Sequence, residues 1–123
     1  MYKIINNNTL NYPKYKFKYI DVIENVNDIP NCDLLIIKDV LQHWDTDSIY
    51  TFLDNIISNV QYKYILITNN ANQNLNNANH IKFFGYGRGL NAKYLPLKKY
   101  NPKIVLEYFA DEFKQISLIT YDR

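Results

Sequence analysis

Apolar and polar positions follow three rhythms along this chain, and each predicts a different element. Ile49, Phe52, Leu53, Ile56, Ile57 and Val60 recur at three- and four-residue spacing. That stripe predicts a helix from about Asp47 to Asn59 packed on a sheet. Asp45, Thr46 and Asp47 precede it with N-cap oxygens and negative charge for the positive end of the helix dipole. A strict alternation comes earlier, with Tyr15, Phe17 and Tyr19 on one side and Lys14, Lys16 and Lys18 on the other. It predicts a half-buried strand from Tyr15 to Val22, with lysines that discourage edge pairing. The third rhythm is the continuous run. Leu34 to Ile37, within Asp33 to Lys38, reads as a strand buried on both faces, as in a parallel sheet with helices on either side. Tyr62 to Thr68 reads the same way.

The remaining stretches fill in the frame. Met1 to Ile5 predicts a short strand, ended by the polar run Asn6 to Asn11. Between Val22 and Asp33 there is room for little more than one helical turn. Asn69 to His80 is nearly all Asn, Ala and Gln and reads as a long loop. Leu95-Pro96 and Asn101-Pro102 punctuate an extended segment. Lys103 to Phe109 and Gln115 to Tyr121 predict an antiparallel hairpin turning at Ala110-Asp111-Glu112.

Chemistry enters at the ends of these elements. Lys38 and Asp39 fall where the 33–38 strand emerges, the end at which open α/β sheets hold ligands. His43-Trp44 follows, read either as a cleft residue or as a cap that packs the turn before the helix. The glycines Gly85, Gly87 and Gly89 surround Arg88, but their spacing is not that of a dinucleotide-binding loop. An Arg between such turns suits an anionic substrate.

Composition narrows the class. A chain of 123 residues supports one domain with a true core. A net charge of +2 on scattered lysines is no nucleic-acid footprint. The single cysteine, Cys32, excludes an internal disulfide and suits a reducing, cytoplasmic compartment; it reads as a small core hydrophobe. Two histidines and one cysteine argue against zinc. No apolar run is long enough to span a membrane. The twelve tyrosines read mostly as core and strand-face residues.

Taken in order, the segments form a known pattern. A strand ends at Asp21, a short connector leads to Asp-Leu-Leu-Ile-Ile-Lys-Asp-Val-Leu-Gln-His-Trp, and a helix and the Tyr-Ile-Leu-Ile-Thr strand follow. A loop with Gly-x-x-Arg-x-Leu-Asn and a hairpin close the chain. From about Lys16 to Tyr121 this resembles the C-terminal two-thirds of class I S-adenosylmethionine-dependent methyltransferases. The resemblance implies an α/β fold, a truncated Rossmann-like sheet that is mostly parallel with an antiparallel C-terminal hairpin. It implies a vestigial cofactor site at Asp21, Lys38 and Asp39, with Asp21 near the adenine. It puts the substrate side at His43, Arg88 and Asn91, makes His43, Asp39 and Arg88 the catalytic candidates, and has Thr68 and Asn69 facing the same cleft.

The departure from the family is as specific. Its glycine-rich loop for the methionine moiety, and the acidic residue for the ribose, should lie before Tyr15, where there is neither glycine nor acidic side chain. A cofactor held at one end loses the proximity on which methyl transfer depends. The expectation is a non-catalytic binding or self-assembly module, inactive as a monomer. The alternative is an S-adenosylmethionine-dependent methyltransferase of a small anionic or sugar-linked substrate, its missing half-site supplied by another chain. The 33–38 strand is left with an apolar edge, which either the Tyr15–Val22 strand or a second chain must cover. A homodimer or partner chain on that edge is the partner expected.

Overall fold

The computed structural model describes residues 2–59, 62–72 and 89–120. Four strands, β1 (Leu34–Lys38), β2 (Tyr64–Asn70), β3 (Lys103–Ala110) and β4 (Glu112–Thr120), form one sheet in the order β1-β2-β4-β3. β1 and β2 are parallel, in register from Leu34↔Tyr64 to Lys38↔Thr68. β4 runs antiparallel to both of its neighbours. The fold is α/β with a mixed sheet, so the expectation of a mostly parallel one is corrected. A turn as tight as the one at Asp111 can only join antiparallel strands. The hairpin inserts its second strand beside β2, which leaves one parallel pair.

Burial explains that choice. Gln115, Ser117 and Ile119 of β4 are buried, whereas most of β3 is exposed. β3, with Lys103, Glu107 and an irregularity between Ile104 and Leu106, takes the outer position.

The predicted helix is present as α2 (Thr46–Asn59) and joins β1 to β2. Asp45 caps it, its Oδ2 accepting from the Ser48 N–H at 3.3 Å. Ile49, Leu53 and Ile56 are wholly buried, and they share one core with Ile37, Ile65, Ile67 and Ile119. Each such side chain is worth about 1.5–3 kcal/mol of burial. Trp44 meets Phe52 edge-on at 5.1 Å, so the residue after His43 does pack the turn before the helix. As expected, the connector before β1 holds one helical turn, Val26–Asp28, whose Val26 enters the core. Cys32 packs partly buried against the same core.

Other expectations fail for identifiable reasons. Residues from Tyr2 form a helix, α1 (Tyr2–Asn11), not a strand. Helical bonds satisfy this backbone locally, and Thr9 adds one to the Ile5 carbonyl at 2.8 Å. The Tyr15–Val22 alternation forms no strand, and Tyr15 and Tyr19 are exposed. Side-chain alternation sets which faces a strand would have; it supplies no pairing partner. Asp21 therefore ends no strand.

The 33–38 segment does form a strand, but it is not buried on both faces. Leu35 and Ile37 face the core, while Leu34 and Ile36 are 48% and 58% exposed. β2 continues through Asn70, into what the Asn-rich composition suggested was loop. The segment before β3 contains a 3-10 turn, Leu97–Tyr100. Among the described tyrosines, Tyr62 is buried and Tyr64 and Tyr108 lie on strands, as expected, whereas Tyr12, Tyr15, Tyr19 and Tyr94 are exposed outside the strands. Val60, the last residue of the helical stripe, and Tyr121, the expected end of the hairpin, lie outside the described residues, as do residues 73–88.

Candidate functional site

The carboxyl ends of β1 and β2 gather most of the described polar side chains that sequence reasoning singled out. Chain direction does this, since both parallel strands end on the same side and each delivers its last residues there. Asp39 follows β1 with φ of 54°, a left-handed turn that Asp tolerates better than most residues. Its N–H donates to the Thr68 carbonyl at 2.8 Å, which ties the two strand ends together. Its carboxylate meets Lys114 of β4 at 3.2 Å and the more exposed Lys38 at 3.6 Å.

Beneath this charged rim lies a buried amide network. Gln42, in the 3-10 turn Leu41–His43, accepts the Asn70 N–H at 2.8 Å through Oε1. Asn69, 1% exposed, donates through Nδ2 to the Asn70 carbonyl at 2.8 Å and also to the Leu90 carbonyl. Gln115 of β4, 2% exposed, accepts the Ala92 N–H at 2.8 Å. Its Nε2 reaches Asn91 Oδ1 and Glu107 Oε1, each at 3.3 Å. Asn91 donates to the Ala71 carbonyl at 3.3 Å and accepts the Lys93 N–H at 3.0 Å. The Leu90 N–H donates to the Asn70 carbonyl at 2.7 Å, closing the stem of residues 71 and 89. At Gly89 a Cβ would sit 1.4 Å from the Asn72 carbonyl oxygen, so only glycine fits this approach.

The candidate residues thus divide. Lys38, Asp39, Thr68, Asn69 and Asn91 come together at one end of the sheet. His43 is at the same end but exposed, on the turn that holds Gln42. Asp21 does not join them; its Oδ1 accepts the N–H groups of Ile23 and Glu24 at 3.1 and 3.2 Å in an exposed local turn. Thr68 and Asn69 do not line an open cleft, because both are buried. Arg88, His80, Gly85 and Gly87 lie outside the described residues.

Sequence reasoning passed over Gln42, Asn70, Lys114 and Gln115. Gln115 carried a misleading signal, since it alternates with Ser117 against Ile116 and Leu118, which assigns it to the polar face, whereas Gln115 and Ser117 are the buried pair. Gln42 carried none beyond its place in the Gln-His-Trp turn.

A depression of about 470 Å³ opens elsewhere, at the amino ends of β1 and β2, lined by Asn31, Cys32, Asp33, Tyr62 and Lys63. Its charges, Asp33 and Lys63, form an exposed pair at 3.7 Å, and none of the candidate residues lines it. The polar network is the better candidate, because its groups converge and the depression's do not. No group of three or more His, Cys, Asp or Glu that could hold a metal ion occurs among the described residues. No described helix is long and apolar enough to cross a membrane. No protein-family model matches the chain, and no curated protein sequence matches it either.

Proposed function

We propose that this chain is a Rossmann-like, methyltransferase-type domain that works without catalysis, as a binding or self-assembly module. The observation that carries this reading is how the amides at the strand ends are used. Gln42, Asn69, Asn91 and Gln115 all spend hydrogen bonds on the protein's own backbone, and Asp39 on Lys114. A cofactor site needs such groups directed at a ligand. The parallel β1–β2 pair joined by α2, with a hairpin closing the sheet, is compatible with the second half of a methyltransferase fold. The flank of β1 where that family carries its first strands pairs with no strand among the described residues. No glycine precedes Gly85 in the sequence.

Titration calorimetry with S-adenosylmethionine and S-adenosylhomocysteine tests the reading. No heat of binding is expected at physiological cofactor concentration. Saturable one-to-one binding by the chain alone would overturn it.

One observation favours a second reading, a methyltransferase completed by another chain. Asp39, Lys114 and His43 stand at the carboxyl end of the parallel pair, the end at which open α/β sheets hold ligands. Methyl transfer to a small anionic or sugar-linked acceptor, appearing only when a candidate partner chain is added, would establish it.

A further inference from the structure

Averaged over the chain, a charge of +2 is no nucleic-acid footprint, but that charge is unevenly divided. Residues 1–20 hold Lys3, Lys14, Lys16 and Lys18 and no acidic side chain, a charge of +4. The rest of the chain carries ten basic and twelve acidic side chains, a charge of −2. Lys14, Lys16 and Lys18 are exposed, and none enters an ion pair of the described residues. Their segment forms no helix or strand from Tyr12 to Asp21 and adds no side chain to the core. Aromatic rings alternate with these lysines, and Tyr12 and Tyr15 are 56% and 66% exposed. The Tyr15 N–H donates to the Tyr12 carbonyl at 3.1 Å, closing a turn over Pro13 and Lys14. Proline suits the second position of such a turn, which holds its first and fourth Cα atoms within about 7 Å. Stacked bases lie about 3.4 Å apart, so a flat base held between two rings needs about that span.

We propose that the arm from Tyr12 to Tyr19 binds single-stranded nucleic acid. Tyr12 and Tyr15 stack on a base, while Lys14 at the tip of the turn, Lys16 and Lys18 meet the phosphates beside it. The arm shares no residue with the strand-end network, so cofactor binding neither supports nor excludes it. Two other anionic partners fit less well. A lipid surface calls for an apolar stripe that can insert. In α1, Ile4 and Leu10 lie about 120° apart around the helix, with Asn7 and Asn11 between them. An acidic peptide would meet the lysines and leave both rings unused.

Fluorescence anisotropy of labelled oligodeoxythymidine and oligouridine, titrated with the full chain, tests the proposal. Saturable binding that weakens as salt rises is expected. Tyr15→Ala removes one stacking face and should lower affinity roughly fivefold or more. Tyr15→Phe keeps the face and should bind as the parent does. Lys14→Gln together with Lys16→Gln should flatten the slope of log affinity against log salt by about 0.7 per lysine. Leu10→Ala, a control outside the arm, should change nothing. No binding, or binding by Tyr15→Ala equal to that of the parent, would overturn the proposal. So would competition by polyglutamate or phosphatidylserine vesicles as strong as that of unlabelled oligonucleotide, the first marking an acidic protein partner and the second a membrane surface.

Discussion

At the residue scale, stability near the strand ends depends on amides placed where apolar side chains are the rule. Gln42 is 5% exposed and holds the Asn70 N–H, which has its partner there and nowhere else in the β1–β2 ladder. Gln42→Leu keeps the bulk and leaves that donor buried, so it should cost about 1–3 kcal/mol. Urea unfolding checks this, and an unchanged midpoint would mean the bond contributes nothing. Left-handed turns at Asp39 and Asp111 make a second comparison, with φ of 54° and 64°. Asp111 is exposed in the hairpin turn, so Asp111→Gly should stabilise by up to about 1 kcal/mol. Asp39→Gly gains the same backbone freedom but loses the Lys114 contact at 3.2 Å, and should not raise the midpoint. If both variants gain equally, the Asp39–Lys114 pair has no net worth.

At the element scale, the two helices have opposite standing. α2 delivers Ile49, Leu53 and Ile56 to the core with no exposure at all, and Leu53→Ala should cost about 2–5 kcal/mol. α1 contributes no residue to that core, and its Ile4 and Leu10 are 59% and 79% exposed. Leu10→Ala should therefore fall within about 0.5 kcal/mol of the parent chain. Thermal melts of the two variants compare the helices directly. A large loss with Leu10→Ala would show that α1 docks in solution. This contrast was half legible in the sequence. The 49–60 stripe declared a helix with a buried face, whereas Tyr2 to Asn11 has no stripe that would fix its structure. Its helical state reflects local bonds, and a helix this short is marginal without packing.

At the scale of the whole molecule, α2 is also pinned to the turn before β3. Lys99 contacts both Asp54 oxygens at 3.0 Å, and the Tyr100 hydroxyl donates to Asp54 Oδ1 at 2.8 Å. Lys99 also lies 5.0 Å from the Tyr50 ring centre. The Lys99–Asp54 pair is half exposed and worth about 0–1 kcal/mol. Tyr100 matters more. Burial first, then its bond to Asp54 and the Asp54 charge, push the phenol well above its ordinary value of 10.0. Above pH 10.0 the unfolded chain therefore binds fewer protons at this site than the folded one, and stability must fall as pH rises. Tyr100→Phe should be less stable at neutral pH yet decline less steeply in alkali, as read from urea midpoints across that range. Identical slopes would remove Tyr100 from the alkaline response. What the sequence determined by itself was local: the α2 stripe and its cap, the core-facing half of β1, the hairpin and its turn. Periodicity and turn chemistry are written in neighbouring residues. Pairing is not. Only the tertiary structure decided that β4 enters beside β2, that Tyr15 to Val22 forms no strand, and that β1 leaves Leu34 and Ile36 exposed and meets no strand on its outer edge among the described residues. It also decided that the amides at the strand ends bind the protein's own backbone. Each of these depends on which distant segments meet, and no window of sequence contains both partners.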